Sequence, residues 1–159
     1  MAHDEIVACE NLTERDMTAI AAQLAQYVRA GDMVLLSGDL GMGKSTFARA
    51  LIRALLDDPG ADVPSPTFTI VQSYPLEDGT EIWHTDLYRL SGPEDVYDLG
   101  FDDVLDDTLF LVEWPDRLPE DMQDTALQIR FSAPTPDDRT VSFCGNADWQ
   151  ERLRGASLS

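Results

Sequence analysis

Positive charge is scarce in this chain: eleven Lys plus Arg stand against thirty Asp plus Glu in 159 residues, a formal net charge of −19. That sign excludes a protein that grips a polyanion through its own electrostatic footprint, so any nucleic acid it serves is expected to be held by a partner. Cysteine is almost missing. Cys9 and Cys144 have neither a CxxC spacing nor the density of a disulfide scaffold, and read as reduced thiols packed like small hydrophobes. No apolar run approaches the roughly 20 residues needed to cross a bilayer. The opening Met1-Ala-His-Asp-Glu5 is acidic and leads into no apolar targeting segment, so a cytoplasmic protein with no membrane contact is expected. Internal repeats and low-complexity linkers are also lacking, and with 43% apolar residues the chain reads as one folded domain over residues 1–159. The rarest residue type is the most informative: ten of the eleven bases are Arg, and the single Lys is Lys44.

Two apolar patterns of different period frame that lysine. Thr13 is placed to cap a helix whose apolar positions Met17, Ile20, Ala21, Leu24, Ala25 and Val28 recur at helical spacing, with Gly31 ending it. Met33-Val-Leu-Leu36 is then a short continuous apolar run bounded by turn residues, as in a strand buried on both faces of a parallel sheet. From Lys44 onward Phe47, Ala48, Leu51, Ile52, Leu55 and Leu56 share one helical face, and Asp57-Asp-Pro-Gly60 stops the helix. Val63 to Phe68, with prolines at 64 and 66, is expected as a loop. Phe68 to Tyr74 and Glu81 to His84 read as an antiparallel pair, and Ser91-Gly-Pro-Glu94 as a capping box opening a short helix to Leu99. Thr108 to Val112 reads as a buried strand that delivers Glu113 and Trp114. Strands near Leu127–Phe131 and Thr140–Phe143 and a helix around Trp149–Leu153 complete the chain. With the glycine-rich segment Gly38-Asp-Leu-Gly-Met-Gly-Lys-Ser45 between strand and helix, the fold class is α/β: a three-layer P-loop NTPase fold with a mainly parallel central sheet plus antiparallel strands.

Gly38-Asp-Leu-Gly41-Met42-Gly43-Lys44-Ser45 fits G-x-x-x-x-G-K-[ST] between a predicted strand and a predicted helix. Glycines at this spacing let backbone N–H groups wrap a phosphate at the positive end of the following helix. Lys44 adds a mobile point charge for the terminal phosphates, and the Ser45 hydroxyl is placed for Mg²⁺. A guanine-reading Asn-Lys-x-Asp would need a second lysine, so ATP is favoured over GTP. Metal-assisted phosphoryl transfer also needs carboxylates, and strand ends offer two, Asp86 and Glu113. Both would stand at one edge if their strands run parallel to the first.

Other positions keep two readings. Thr67 lies where many nucleotide hydrolases carry a segment ordered by the γ-phosphate, and also where an ordinary Ser/Thr-Pro turn would sit. Trp114 fits either the core or the site. His84 has no second His or Cys at ligand spacing and reads as a satisfied structural histidine. Arg89 and Arg139 would serve phosphate or neutralise the acidic surface. A small-molecule P-loop kinase would need a cationic lid, and no arginine-rich lid segment is seen. A nucleotide-gated binding module would use the Thr67 loop as its switch.

Together the motifs resemble the TsaE (YjeE) family, the small P-loop ATPase of bacterial tRNA threonylcarbamoyladenosine biosynthesis. Ser37 to Thr46 resembles its Walker A segment and Ser65-Pro-Thr67-Phe-Thr69 its switch-like loop. His84-Thr-Asp86-Leu-Tyr-Arg-Leu90, continued by Pro93-Glu-Asp and Leu99-Gly-Phe101, resembles its central signature, and Val112-Glu113-Trp114-Pro115 its Walker B segment. The resemblance implies that Gly41, Met42, Gly43, Lys44, Ser45 and Thr46 cradle the phosphates of ATP. It implies that Ser45 and Glu113 ligate Mg²⁺, that Asp86 completes the metal or water-positioning shell, and that Thr67 responds to the γ-phosphate. Trp114 would be functional, Arg139 would contact the nucleotide, and the loop around Thr13 would approach the adenine. The chain has Ser45 where threonine is common and Phe68 where tyrosine is common, and neither change removes a required group. Family members act with TsaB and TsaD, the latter the threonylcarbamoyl transferase. The chain would therefore be a weak ATPase driving turnover of that assembly, monomeric when free. It would meet tRNA only through its partners, in modifying tRNAs that read codons beginning with A.

Overall fold

The computed structural model describes residues 4–39, 43–66, 70–156 and 158. Among the described residues seven strands form one sheet in the order β1-β7-β6-β2-β5-β4-β3: β1 (Asp4–Cys9), β2 (Met33–Ser37), β3 (Val71–Pro75), β4 (Glu81–Asp86), β5 (Thr108–Glu113), β6 (Leu127–Ser132) and β7 (Thr140–Gly145). β6, β2, β5 and β4 run parallel, while β3, β7 and β1 join antiparallel at the flanks. The expected mainly parallel sheet with antiparallel additions is what forms.

The continuous apolar runs of β2 and β5 exist because each strand buries both faces. Val34, Leu36, Leu109 and Leu111 enter one core with α1 (Glu14–Leu24) and α2 (Lys44–Leu56), where Phe47 packs edge-on against Phe131 with ring centroids 5.5 Å apart. Met33, Leu35, Phe110 and Val112 enter a second core with α3 (Pro93–Asp98), Phe101 and α4 (Glu120–Asp124). α5 (Ala147–Arg152) closes the chain, with Trp149 in the larger core. No helix among the described residues is long and apolar enough to cross a membrane.

Several local expectations are corrected. α1 ends at Leu24 rather than near Gly31, because its exit tightens into i→i+3 bonds, from Gln26 N to Gln23 O and Tyr27 N to Leu24 O. Ser91 does not cap α3. Gly92 occupies that position without a side-chain bond, and the Asp95 carboxylate instead accepts from Ser91 N. The Phe68–Tyr74 strand is described from Val71 onward, and the loop reading of Val63–Phe68 is met over its described part, residues 63–66. β1 and α4 had no sequence signal. Both cysteines are free and buried, and burial pushes both thiols above their ordinary pKa, as expected of inert packing residues.

Candidate functional site

The site forms where three parallel strands end. β4 pairs with β5 so that Asp86 stands opposite Glu113, and β5 pairs with β2 so that Glu113 stands opposite Leu36. Both acids thus lie at the carboxyl edge of the sheet, beside the glycine-rich segment that leaves β2, the usual ligand position in an open α/β sheet.

Two glycines make that exit possible. Gly38 has φ 141°, and a Cβ there would come within 2.4 Å of the Phe131 carbonyl oxygen. Gly43, at φ 101°, turns the chain into α2, and its missing Cβ leaves room for the Met17 thioether. Among the described residues the N-terminus of α2 has no side-chain cap and no acid in its first turn, whereas the other four α-helices all carry acids there. The first turn of α2 thus holds no carboxylate of its own to compete for its N–H groups, which suit an anion.

Lys44 opens α2 with 5% of its surface exposed. Its ammonium donates to Gly38 O at 2.5 Å and lies 3.9 Å from the centroid of the Trp114 ring. Burial pushes its pKa below the ordinary lysine value, against the upward pull of the Glu113, Asp86, Asp39 and Asp116 carboxylates. Trp114 reaches this position from a left-handed backbone, φ 57° and ψ 60°, immediately before Pro115. Such a conformation costs an aromatic residue about 1–3 kcal/mol and clusters at functional sites. Its ring meets Tyr88 at 5.0 Å between centroids, and Tyr88 is 63% exposed, so one aromatic stack connects the surface to Lys44.

Each acid has a donor among the described residues. Asp86 Oδ1 accepts from Tyr88 N at 3.0 Å, and Glu113 Oε2 bonds His84 Nε2 at 2.7 Å. His84, expected as a satisfied structural histidine, is bonded through Nε2 to a site acid, and its Nδ1 has no partner among the described residues. A sequence signal existed, because residues 84 and 86 of one strand share a face of the sheet.

Of the residues singled out by sequence, Lys44, Asp86, Glu113 and Trp114 are brought together, with Gly43, Ser45 and Thr46 adjoining them at the start of α2. Gly41, Met42 and Thr67 lie outside the described residues. Thr13 and Arg139 come beside each other, since Leu12 N donates to Arg139 O, but their side chains are engaged locally. Thr13 Oγ1 accepts from Asp16 N in a capping box, and Arg139 Nη1 donates to Pro136 O. A groove of about 310 Å³ runs between α1 and α2 and includes Thr46, Thr18, Arg49 and Arg53, touching the motif only at its edge.

Residues 12–141 match the family model described as threonylcarbamoyl adenosine biosynthesis protein TsaE. The chain belongs to the TsaE family. Similar relatives include proteins named tRNA threonylcarbamoyladenosine biosynthesis protein TsaE from Streptomyces coelicolor, 41% identical over 76% of this chain and 82% of that one, and Bacillus subtilis, 34% over 85% and 83%. The TsaE protein of Rickettsia conorii is 35% identical over 84% of this chain and 75% of its own. Among solved structures, Bacillus subtilis YdiB superposes with a TM-score of 0.73 at 27% identity, covering 97% of this chain and 94% of that one. The TsaE resemblance and the α/β fold expected from the motifs are thus both met.

Proposed function

We propose that this TsaE-family chain binds ATP with Mg²⁺ and hydrolyses it slowly, as an accessory protein that acts with TsaB and TsaD in forming threonylcarbamoyladenosine on tRNA. The observation that carries the reading is the meeting of Lys44, Asp86 and Glu113 at the ends of three parallel strands, in front of the uncapped N-terminus of α2.

The donor set suits Mg²⁺. Ser45 offers a hydroxyl and Asp86 and Glu113 offer carboxylates, all hard oxygen ligands. Four carboxylates bear on the one ammonium of Lys44, a surplus of negative charge that a divalent cation would balance. Mg²⁺ usually keeps several waters and is bound through one or two carboxylates plus substrate phosphates, which two acids and a hydroxyl would match. When bound, Mg²⁺ supplies charge neutralisation to the phosphate oxygens.

The chain's own groups do the rest. The first-turn N–H groups of α2 and the Lys44 ammonium bind the terminal phosphates. Lys44 rests against Trp114 through a cation–π contact worth about 0.5–2 kcal/mol. Several charge-assisted bonds to phosphate, at roughly 1.5–3 kcal/mol each, would outweigh it, so Lys44 is held ready without being trapped. Asp86 and Glu113 orient the metal and the attacking water. Slow intrinsic turnover follows where stimulating groups come from a partner, and the charge of −19 agrees with a chain that leaves tRNA to that partner.

The exposed Tyr88 stacked on Trp114 favours a second reading, a nucleotide-gated binding module with little hydrolysis. The kinase reading gains nothing from Arg53, which lies in the last turn of α2 with its Nε donating to Ala61 O. The test is ATP hydrolysis by the purified chain, alone and with TsaB–TsaD, with Lys44→Ala as control. The expected result is partner stimulation that Lys44→Ala abolishes. Binding of ATP with no partner effect would return the kinase reading. Glu113→Ala that abolishes nothing measurable while nucleotide still switches partner affinity would favour the gated module.

A further inference from the structure

We infer that His84 is a positioning residue for the metal site: its Nε2–H holds the Glu113 carboxylate in the orientation that receives Mg²⁺, an inference that rests on the reading of Glu113 given above. The two side chains are 3% and 6% exposed and 2.7 Å apart, and they come from neighbouring parallel strands 29 residues apart in sequence. An ionised carboxylate only accepts hydrogen bonds, so the proton between the two atoms belongs to Nε2.

A purely architectural role fits poorly. Replacing a buried polar pair by apolar side chains of similar volume is commonly neutral or stabilising, so the pair needs another reason to be there. What the ring does accomplish is specific. The end of a glutamate side chain rotates broadly, and one bond to Oε2 removes that freedom. Asp86 is treated alike, with Oδ1 fixed by Tyr88 N, so residues on and just after β4 set the orientation of both acids. Hydrogen bonds to ligating carboxylates of this kind are worth roughly 10- to 100-fold in metal affinity.

The experiment compares His84→Leu, which removes the donor, with His84→Gln, whose amide nitrogen replaces Nε2–H. Calorimetry measures ADP binding with and without Mg²⁺. Leu is expected to weaken the Mg²⁺-dependent part of binding by about 10- to 100-fold while metal-free binding stays unchanged, and Gln is expected to restore most of the loss. Full Mg²⁺ enhancement in His84→Leu, or a Gln variant as impaired as Leu, overturns the role of His84. Glu113→Gln separates the two levels: if it leaves the enhancement intact, the reading of Glu113 falls and the inference with it. If Glu113→Gln abolishes the enhancement and His84→Leu does not, only the inference falls. Should the Leu variant fail to fold, the ¹⁵N resonances of His84 in the unaltered protein decide. A protonated Nε2 whose signal shifts when Mg²⁺ is added to the ADP-bound protein supports the inference, and a signal indifferent to Mg²⁺ overturns it.

Discussion

The two ends of the parallel strands treat buried charge in opposite ways. At the amino end of β2, Asp32 is 8% exposed, and its Oδ2 accepts from Arg29 N at 2.7 Å and from Arg152 Nη1 at 2.6 Å. Arg152 in turn bonds Asp148 and lies 4.1 Å over the Trp149 ring. Asp32, Arg152 and Asp148 thus pair with one another, and the cluster fastens α5 to the sheet. At the carboxyl end, two buried acids and two further carboxylates face one buried lysine, whose own pKa is depressed by burial. A backbone in left-handed conformation and a histidine bonded to one of the two acids accompany them. A fold can place charge at either edge of a sheet. The edge where charge is left unbalanced and strain is retained is the one prepared for a ligand.

That contrast is open to direct attack. Lys44→Ala should lower ATP turnover by about 10²- to 10³-fold, with a melting temperature unchanged or raised because a desolvated cation is removed. A turnover assay beside a thermal melt checks both, and a large loss of stability would make Lys44 architectural like Arg152. Asp32→Ala should do the reverse, costing about 2 kcal/mol in a urea titration while ADP affinity stays at the parent value. Falling affinity in that variant would mean that the two ends are energetically coupled. Thr13→Ala should cost about 1 kcal/mol by removing the α1 cap, and Thr13→Ser should restore it. Should ADP affinity also drop in Thr13→Ala, the residue touches the nucleotide as well as capping the helix.

The smallest effect is a pH dependence. The folded-state pKa of Lys44 lies below the ordinary lysine value of about 10.5, so between those two points the unfolded chain binds more protons and stability rises with pH. Below the folded pKa the penalty is fully present. Alkaline-range urea titrations of the parent and Lys44→Met should therefore differ, the parent gaining stability as pH rises through that window and the variant lacking that share. Identical profiles would mean that the carboxylates around Lys44 offset its burial.

The part of the site readable in the sequence was the part built by neighbours in the chain. Gly38 to Thr46 announces itself by spacing, and the strand before it and the helix after it by their apolar periods, since backbone turn and helix start are decided within a few residues. Asp86 and Glu113 were legible one step further, as acids at the ends of apolar strands. Ser91 misled because a capping box depends on which residue takes the cap, and Gly92 took it. β1 was invisible because pairing with β7, at the far end of the chain, and not its own pattern makes it a strand.

The sequence by itself determined a single lysine in a phosphate-loop pattern, an α/β alternation and a large negative charge, all of them local or additive properties. Only the tertiary structure decided that β4, β5 and β2 run parallel in register, so that Asp86, Glu113 and Lys44 meet, that Trp114 folds back over Lys44, and that His84 binds Glu113. Those relations join residues far apart in sequence, and they arise from strand pairing and burial on both faces of the sheet, which no short stretch of sequence encodes.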